Sequence, residues 1–123
     1  METPRKLDID TLVRDVHEDW RNFVAAEVND HVLRVSVLRR DFHWHVHTKS
    51  DEVFYVVQGT LCVDFEDLTE ELRPGQMIMV PKGVRHRTRG AQAEGGTVAL
   101  CFEAADNDVL GDDPALGAAA SAP

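Results

Sequence analysis

DFHWHVHTKSDEVFYVVQG, residues 41–59, carries three histidines at alternate positions: His43, His45 and His47. Residues two apart in an extended strand share a face. The three imidazoles therefore fall on one side, and Phe42, Trp44 and Val46 on the other. A polar break, Thr48–Lys49–Ser50, precedes Asp51–Glu52. The run Val53–Val57 is rich in β-branched and aromatic residues and reads as a second strand, ending at Gln58–Gly59. The break is long enough for the chain to turn back and carry Glu52 beside His45 and His47. Two imidazoles and a carboxylate converging from neighbouring strands suit a divalent transition metal. A lone strand histidine is more often a surface or satisfied core residue. An alternating pair followed by an acid and an aromatic strand is less easily dismissed.

A second stretch, GQMIMVPKGVRH from Gly75 to His86, adds a fourth candidate ligand. Met77–Val80 reads as a short strand, Pro81–Lys82–Gly83 as a turn, and His86 as the opening of the next strand. Together the two stretches resemble the two motifs of the cupin superfamily. The first motif, G-x5-H-x-H-x3,4-E-x6-G, is matched at His45, His47, Glu52 and Gly59, with Arg39 in place of its leading glycine. The second, G-x5-P-x-G-x2-H-x3-N, is matched at Gly75, Pro81, Gly83 and His86, with Gly90 in place of its final Asn. The wording WHVHTKSDEVFYVVQG is similar to that of small single-domain bacterial cupins, and the resemblance spans Asn22 to Glu103. It implies a metal held by His45, His47, Glu52 and His86, with iron, manganese, nickel, cobalt and zinc all compatible. It also implies a homodimer.

The chain has 123 residues, enough for one domain. Its net charge of −9 opposes binding to nucleic acid, though not to a small anion in a locally different pocket. No apolar run approaches the ~20 residues needed to cross a bilayer. METPRKLDID lacks the apolar core of a secretory signal, so the expected location is the cytoplasm, away from membranes. Cys62 and Cys101 have no metal or redox spacing and read as reduced, part-buried thiols.

Taken in order, residues 1–6 are expected to be flexible, 7–103 to form the single domain, and 104–123 to form a disordered, acidic and Ala-rich tail. Asp8–His17 reads as a short helix or helical turn with Asp10 as its cap. Asn22–Val28 and His31–Leu38 are strands around an Asn29–Asp30 turn. Leu33, Val35 and Val37 mark a buried face whose parity, carried on without a bulge, puts Arg39, Asp41 and His43 at the pocket wall. Thr60–Phe65, Leu68–Leu72, His86–Arg89 and Thr97–Phe102 complete the strands. Cys62 and Asp64 are placed toward the interior by alternation, and Met77, Met79 and Phe102 are assigned to the core. Arg85, Arg87 and Arg89 oppose the parity of His86 and point outward. Tyr55 packs with Val53 and Val57 on the outer face, a surface suited to dimerisation. Many short strands with almost no helix argue an all-β barrel or sandwich. The resemblance selects the double-stranded β-helix, or jelly-roll, cupin barrel with a short N-terminal helix.

Two functions fit this pattern. One is a metal-dependent enzyme, an isomerase, lyase or dioxygenase, acting on a small oxygenated metabolite such as a sugar acid, keto acid or phenolic. His43 is then the candidate acid–base residue, weighed against a histidine merely hydrogen-bonded to water at the rim. The other is a non-catalytic, metal-containing module that binds or senses a small ligand.

Overall fold

The computed structural model describes residues 3–91 and 95–107. The assigned tail from 108 onward lies outside the described residues. The described chain is nearly all β, with one helix, α1 (Ile9–Val13), and eight strands: β1 (Trp20–Val28), β2 (His31–Leu38), β3 (Glu52–Gln58), β4 (Leu61–Asp64), β5 (Thr69–Leu72), β6 (Met77–Val80), β7 (Arg87–Arg89) and β8 (Thr97–Ala104). They pair antiparallel in two sheets, ordered β1-β2-β8-β3-β6 and β5-β4-β7. This is the expected jelly roll. Leu38, Phe54, Val56, Leu61, Val63, Leu72, Val80 and Ala99 fill the space between the sheets. Each of these side chains larger than alanine contributes roughly 1.5–3 kcal/mol through loss of contact with water.

A second cluster lies on the other side of the larger sheet. There α1 and Val16 cover Val35, Val37 and Val98. The helix is capped by Asp8 rather than Asp10: the Asp8 carboxylate accepts from the Asp10 amide at 3.1 Å. Arg39, standing where the motif has glycine, ties this segment down by donating to the carbonyls of Val16, at 2.8 Å, and Glu18.

Several expected orientations are reversed. Val35 and Val37 face the helix, and Ser36 and Leu38 face the barrel. The reason is that β2 is buried on both faces, so hydrophobicity alone does not mark its inner side. Its parity also stops at Leu38, where strand structure gives way to a bend. Phe42 consequently lies inside, stacked on Trp20 with ring centroids 5.1 Å apart. On β4, Leu61 and Val63 point inward, while Asp64 is held by the outward Arg87 and Arg89. Met77, Met79 and Phe102 are not core but surface, 64%, 55% and 44% exposed. Cys101 is buried and Cys62 half-buried, both reduced.

Candidate metal centre

Three local devices bring the candidate ligands together. His45 and His86 form an antiparallel pair, each amide donating to the other's carbonyl at 2.9 Å. Residues directly opposed in this way project to the same face. Their ring centroids lie 4.4 Å apart, and that of His47 is 4.8 Å from His45. The second device is the Pro81–Gly83 turn. The Gly83 amide donates to the His47 carbonyl at 2.7 Å, and the Lys82 amide to Asp51 Oδ1 at 2.9 Å. The third is the pairing of Glu52, the first residue of β3, with Val80 at the end of β6.

All four side chains are buried. Nitrogen donors of His45, His47 and His86 lie within 4.8 Å of one another, and Glu52 Oε1 approaches His47 Nε2 to 3.3 Å and His86 Nε2 to 3.9 Å. The Nδ1–H of His45 donates to the His43 carbonyl at 2.8 Å, and that of His86 to the Val84 carbonyl at 2.9 Å. A carbonyl only accepts, so both rings carry their proton on Nδ1 and present the Nε2 lone pair. Burial and then the neighbouring His86 ring lower the pKa of His45 to about 3, and burial lowers that of His86. Both are therefore neutral at physiological pH, as ligation requires. Glu52 Oε1 and His86 Nε2 are buried with no hydrogen-bond partner. An orphaned carboxylate oxygen 3.9 Å from the lone pair of His86 Nε2 is costly without a cation between them, so the donor set fits a divalent transition metal.

The cavity at these residues measures about 20 Å³ and is walled by Trp20, Asn22, Ser36, Phe42, Phe54 and Thr88. That is room for about one water molecule. A larger open groove of about 640 Å³ lies on the far side of Trp20 and Phe42, lined also by Arg21, Arg40, Asp41 and His43. His43 thus belongs to the rim rather than to the donor cluster. Its ring centroid is 4.0 Å from that of Phe42 and 5.3 Å from that of His45.

Sequence reasoning passed over Trp20, Phe42, Ser36, Thr88 and Glu103. Glu103 is fully buried beside the centre, and its carboxylate groups with His47 and Glu52 inside 4.8 Å. Burial and then Glu52 push its pKa up to about 7. Its signal was parity, since it shares the inward face of β8 with Ala99 and Cys101. The expected outward turn of the arginines is observed. Arg87 and Arg89 grip Asp64, and Arg85 and Arg87 lie over Trp44 at 4.7 and 5.2 Å.

With this geometry in hand, a family model described as the cupin domain matches residues 34–102. The chain belongs to the cupin family. This cupin is 41% identical to YdbB of Bacillus subtilis over 93 residues, 75% of the chain and 80% of YdbB. A solved cupin-2 domain protein from Shewanella frigidimarina superposes with a TM-score of 0.71 at 31% identity, over 80% of this cupin and 93% of that chain. CurC of Streptomyces cyaneus, named a polyketide synthase, is 44% identical over 50 residues, 41% of this cupin and 32% of CurC. Among the described residues no helix is long and apolar enough to cross a membrane.

Proposed function

We propose that this cupin binds a divalent transition metal through His45, His47, Glu52 and His86 and is an enzyme acting on a small oxygenated metabolite. The carrying observation is the orphaned Glu52 Oε1 directed at the Nε2 atoms of His47 and His86 inside a buried site. A metal bound there supplies Lewis-acid polarisation of a substrate oxygen or, if it is iron, a partner for dioxygen. Isomerase or lyase chemistry follows from the first and dioxygenase chemistry from the second.

The protein's own residues divide the remaining work. Ser36, Asn22 and Thr88 give the cavity a polar wall, while Trp20, Phe42 and Phe54 exclude water. The cavity is too small for a whole metabolite, so the substrate lies in the groove and presents one oxygen past the Trp20–Phe42 pair. At the groove, His43 is the candidate to take or return a proton on the substrate. Among sugar acids, keto acids and phenolics, the stacked aromatic wall favours a planar phenolic or enolic ring.

A cytoplasmic homodimer completes the reading. Its support is an apolar strip across the outer face, where Val53 pairs with Met79 and Phe102, and Tyr55 with Met77. The decisive experiment is elemental analysis of wild-type and His47→Ala protein. Near-stoichiometric metal, lost in the variant, is expected; iron directs the search to oxygen uptake with phenolics, and zinc, manganese, cobalt or nickel to isomerase and lyase assays. Protein that holds no metal and takes up none of these ions refutes the proposal. Metal-replete protein that is stabilised by phenolics without turning them over would instead be the binding module.

A further inference from the structure

Glu103 has no place in the four-ligand scheme, yet it is among the most completely buried side chains of the protein. Both of its carboxylate oxygens are held. Arg34 Nε donates to its Oε1 at 2.8 Å, and Asn107 Nδ2 to its Oε2 at 2.8 Å. Arg34 projects from β2 toward Asn22, with Nη1 3.5 Å from Asn22 Oδ1. Asn107 is itself buried, and its backbone amide donates to the Ala104 carbonyl at 3.1 Å in the turn after β8. The two donors fix the plane of the carboxyl and hold it within 4.8 Å of the Glu52 carboxylate.

We propose that Glu103 is a positioning residue of the metal centre: the Arg34–Glu103–Asn107 cluster holds the Glu52 carboxyl from behind, so that its Oε1 is delivered to His47 and His86. This rests on the metal reading of the site and extends it to a partner outside the donor set. The Glu103 carboxylate lies within 4.8 Å of the donor atoms of both His47 and Glu52. Held by Arg34 and Asn107, it forms a fixed wall that limits where the Glu52 carboxyl can sit. Isolating a buried acid beside a ligand without such a function would cost stability for nothing, since apolar residues of similar size pack at least as well.

The test is titration of cobalt(II) into metal-free wild-type, Glu103→Ala and Glu103→Gln protein. It is followed by the visible absorption of the bound ion and by thermal unfolding without metal. Removing a group that orients a ligand typically weakens metal binding about 10–100-fold. Glu103→Ala is expected to lose affinity by that factor and to shift the cobalt bands, although all four ligands remain. Glu103→Gln should recover most of both. A glutamine amide can accept from Arg34 and donate toward Glu52, and Asn107 can turn its unpartnered Oδ1 to meet it. Glu103→Ala protein with wild-type affinity and spectrum, whatever its unfolding temperature, overturns the positioning role. Wild-type protein that binds no cobalt overturns the metal reading itself, and the inference with it.

Discussion

Restoring the family residue at position 90 should damage this protein. Gly90 stands where the second motif has Asn, and substitutions toward a family pattern commonly stabilise. Here the geometry says otherwise. A Cβ at Gly90 would lie 2.5 Å from the Leu38 carbonyl oxygen and 2.6 Å from the Leu38 Cβ, against 3.4–4 Å for ordinary contact. Relief requires a movement of about 0.9 Å, the difference between 3.4 and 2.5 Å. Leu38 cannot easily supply it, because it is buried and paired on both sides, with Trp20 of β1 and Thr97 of β8. Overpacking of this kind costs about 1–3 kcal/mol. Loss of glycine's freedom in the unfolded chain returns about 0.4–1 kcal/mol. The net expectation for Gly90→Ala is a loss of about 1–2 kcal/mol, and Gly90→Asn, which shares the offending Cβ, should lose at least as much. For a domain of this size each kcal/mol lowers the melting temperature by about 4–8 °C. Urea unfolding should show a lower midpoint with an unchanged slope. An unchanged or raised midpoint for Gly90→Ala would refute the reasoning, and so would a harmless Ala beside a damaging Asn, because the clash begins at Cβ.

Two further outcomes follow from the structure. Asp64 accepts from Thr69, Arg87 and Arg89 at 2.7–3.0 Å, and the Arg89 guanidinium first, with Thr69 and Arg87, holds its carboxyl well below the usual range. Its folded pKa lies below its unfolded value of about 3.9, so its stabilisation is complete above that pH and is lost as pH falls further. Asp64→Asn should cost about 2–3 kcal/mol at pH 7, and its urea midpoint should converge on wild type toward pH 2. Parallel curves would contradict the assignment. Trp20→Leu, which breaks the stack on Phe42, should join the groove to the small cavity, so that a chelator strips bound metal faster than from wild type. Equal stripping rates would mean that Trp20 is no barrier.

The convergence of His45, His47, Glu52 and His86 was legible because donor chemistry is written in residue type and spacing, and short-range parity holds across His45–Val46–His47. Longer parity failed for identifiable reasons. The alternation of Leu33, Val35 and Val37 was real, but Val35 and Val37 belonged to the helix-covered face of a strand buried on both sides. Between Leu38 and His45 the chain is bent, with only Asp41 bridged to Arg89, so counting by twos could not carry Phe42 or His43 to their places. Met77 and Met79 are apolar without being core, because β6 is the edge strand of its sheet and its outer face has nothing over it among the described residues. Glu103 was missed because an acid near the end of a strand looks like solvent-facing punctuation, and its partners Arg34 and Asn107 are brought to it only by the pairing of β2 with β8 and the turn that follows.

The two motifs also explain each other once folded. His86 reaches the centre because its backbone is exchanged with that of His45, and His47 is held by the amide of Gly83, four residues past Met79 and three before His86. Proline and glycine at 81 and 83 are therefore not spacers between ligands. They shape a turn whose amides grip the first motif at Asp51 and His47. Gly59, the last residue of the first motif, has φ +76°, and a Cβ there would stand 2.7 Å from the Gly96 carbonyl oxygen. A side chain at that position would push β3 away from β8, the strand that carries Glu103. A motif that in sequence lists candidate ligands is, in three dimensions, mostly a set of backbone constraints on where four side chains can point. That is why Arg39 and Gly90 can depart from it: one anchors the N-terminal segment and the other makes room for Leu38, and neither touches the hydrogen bonds that aim those four side chains.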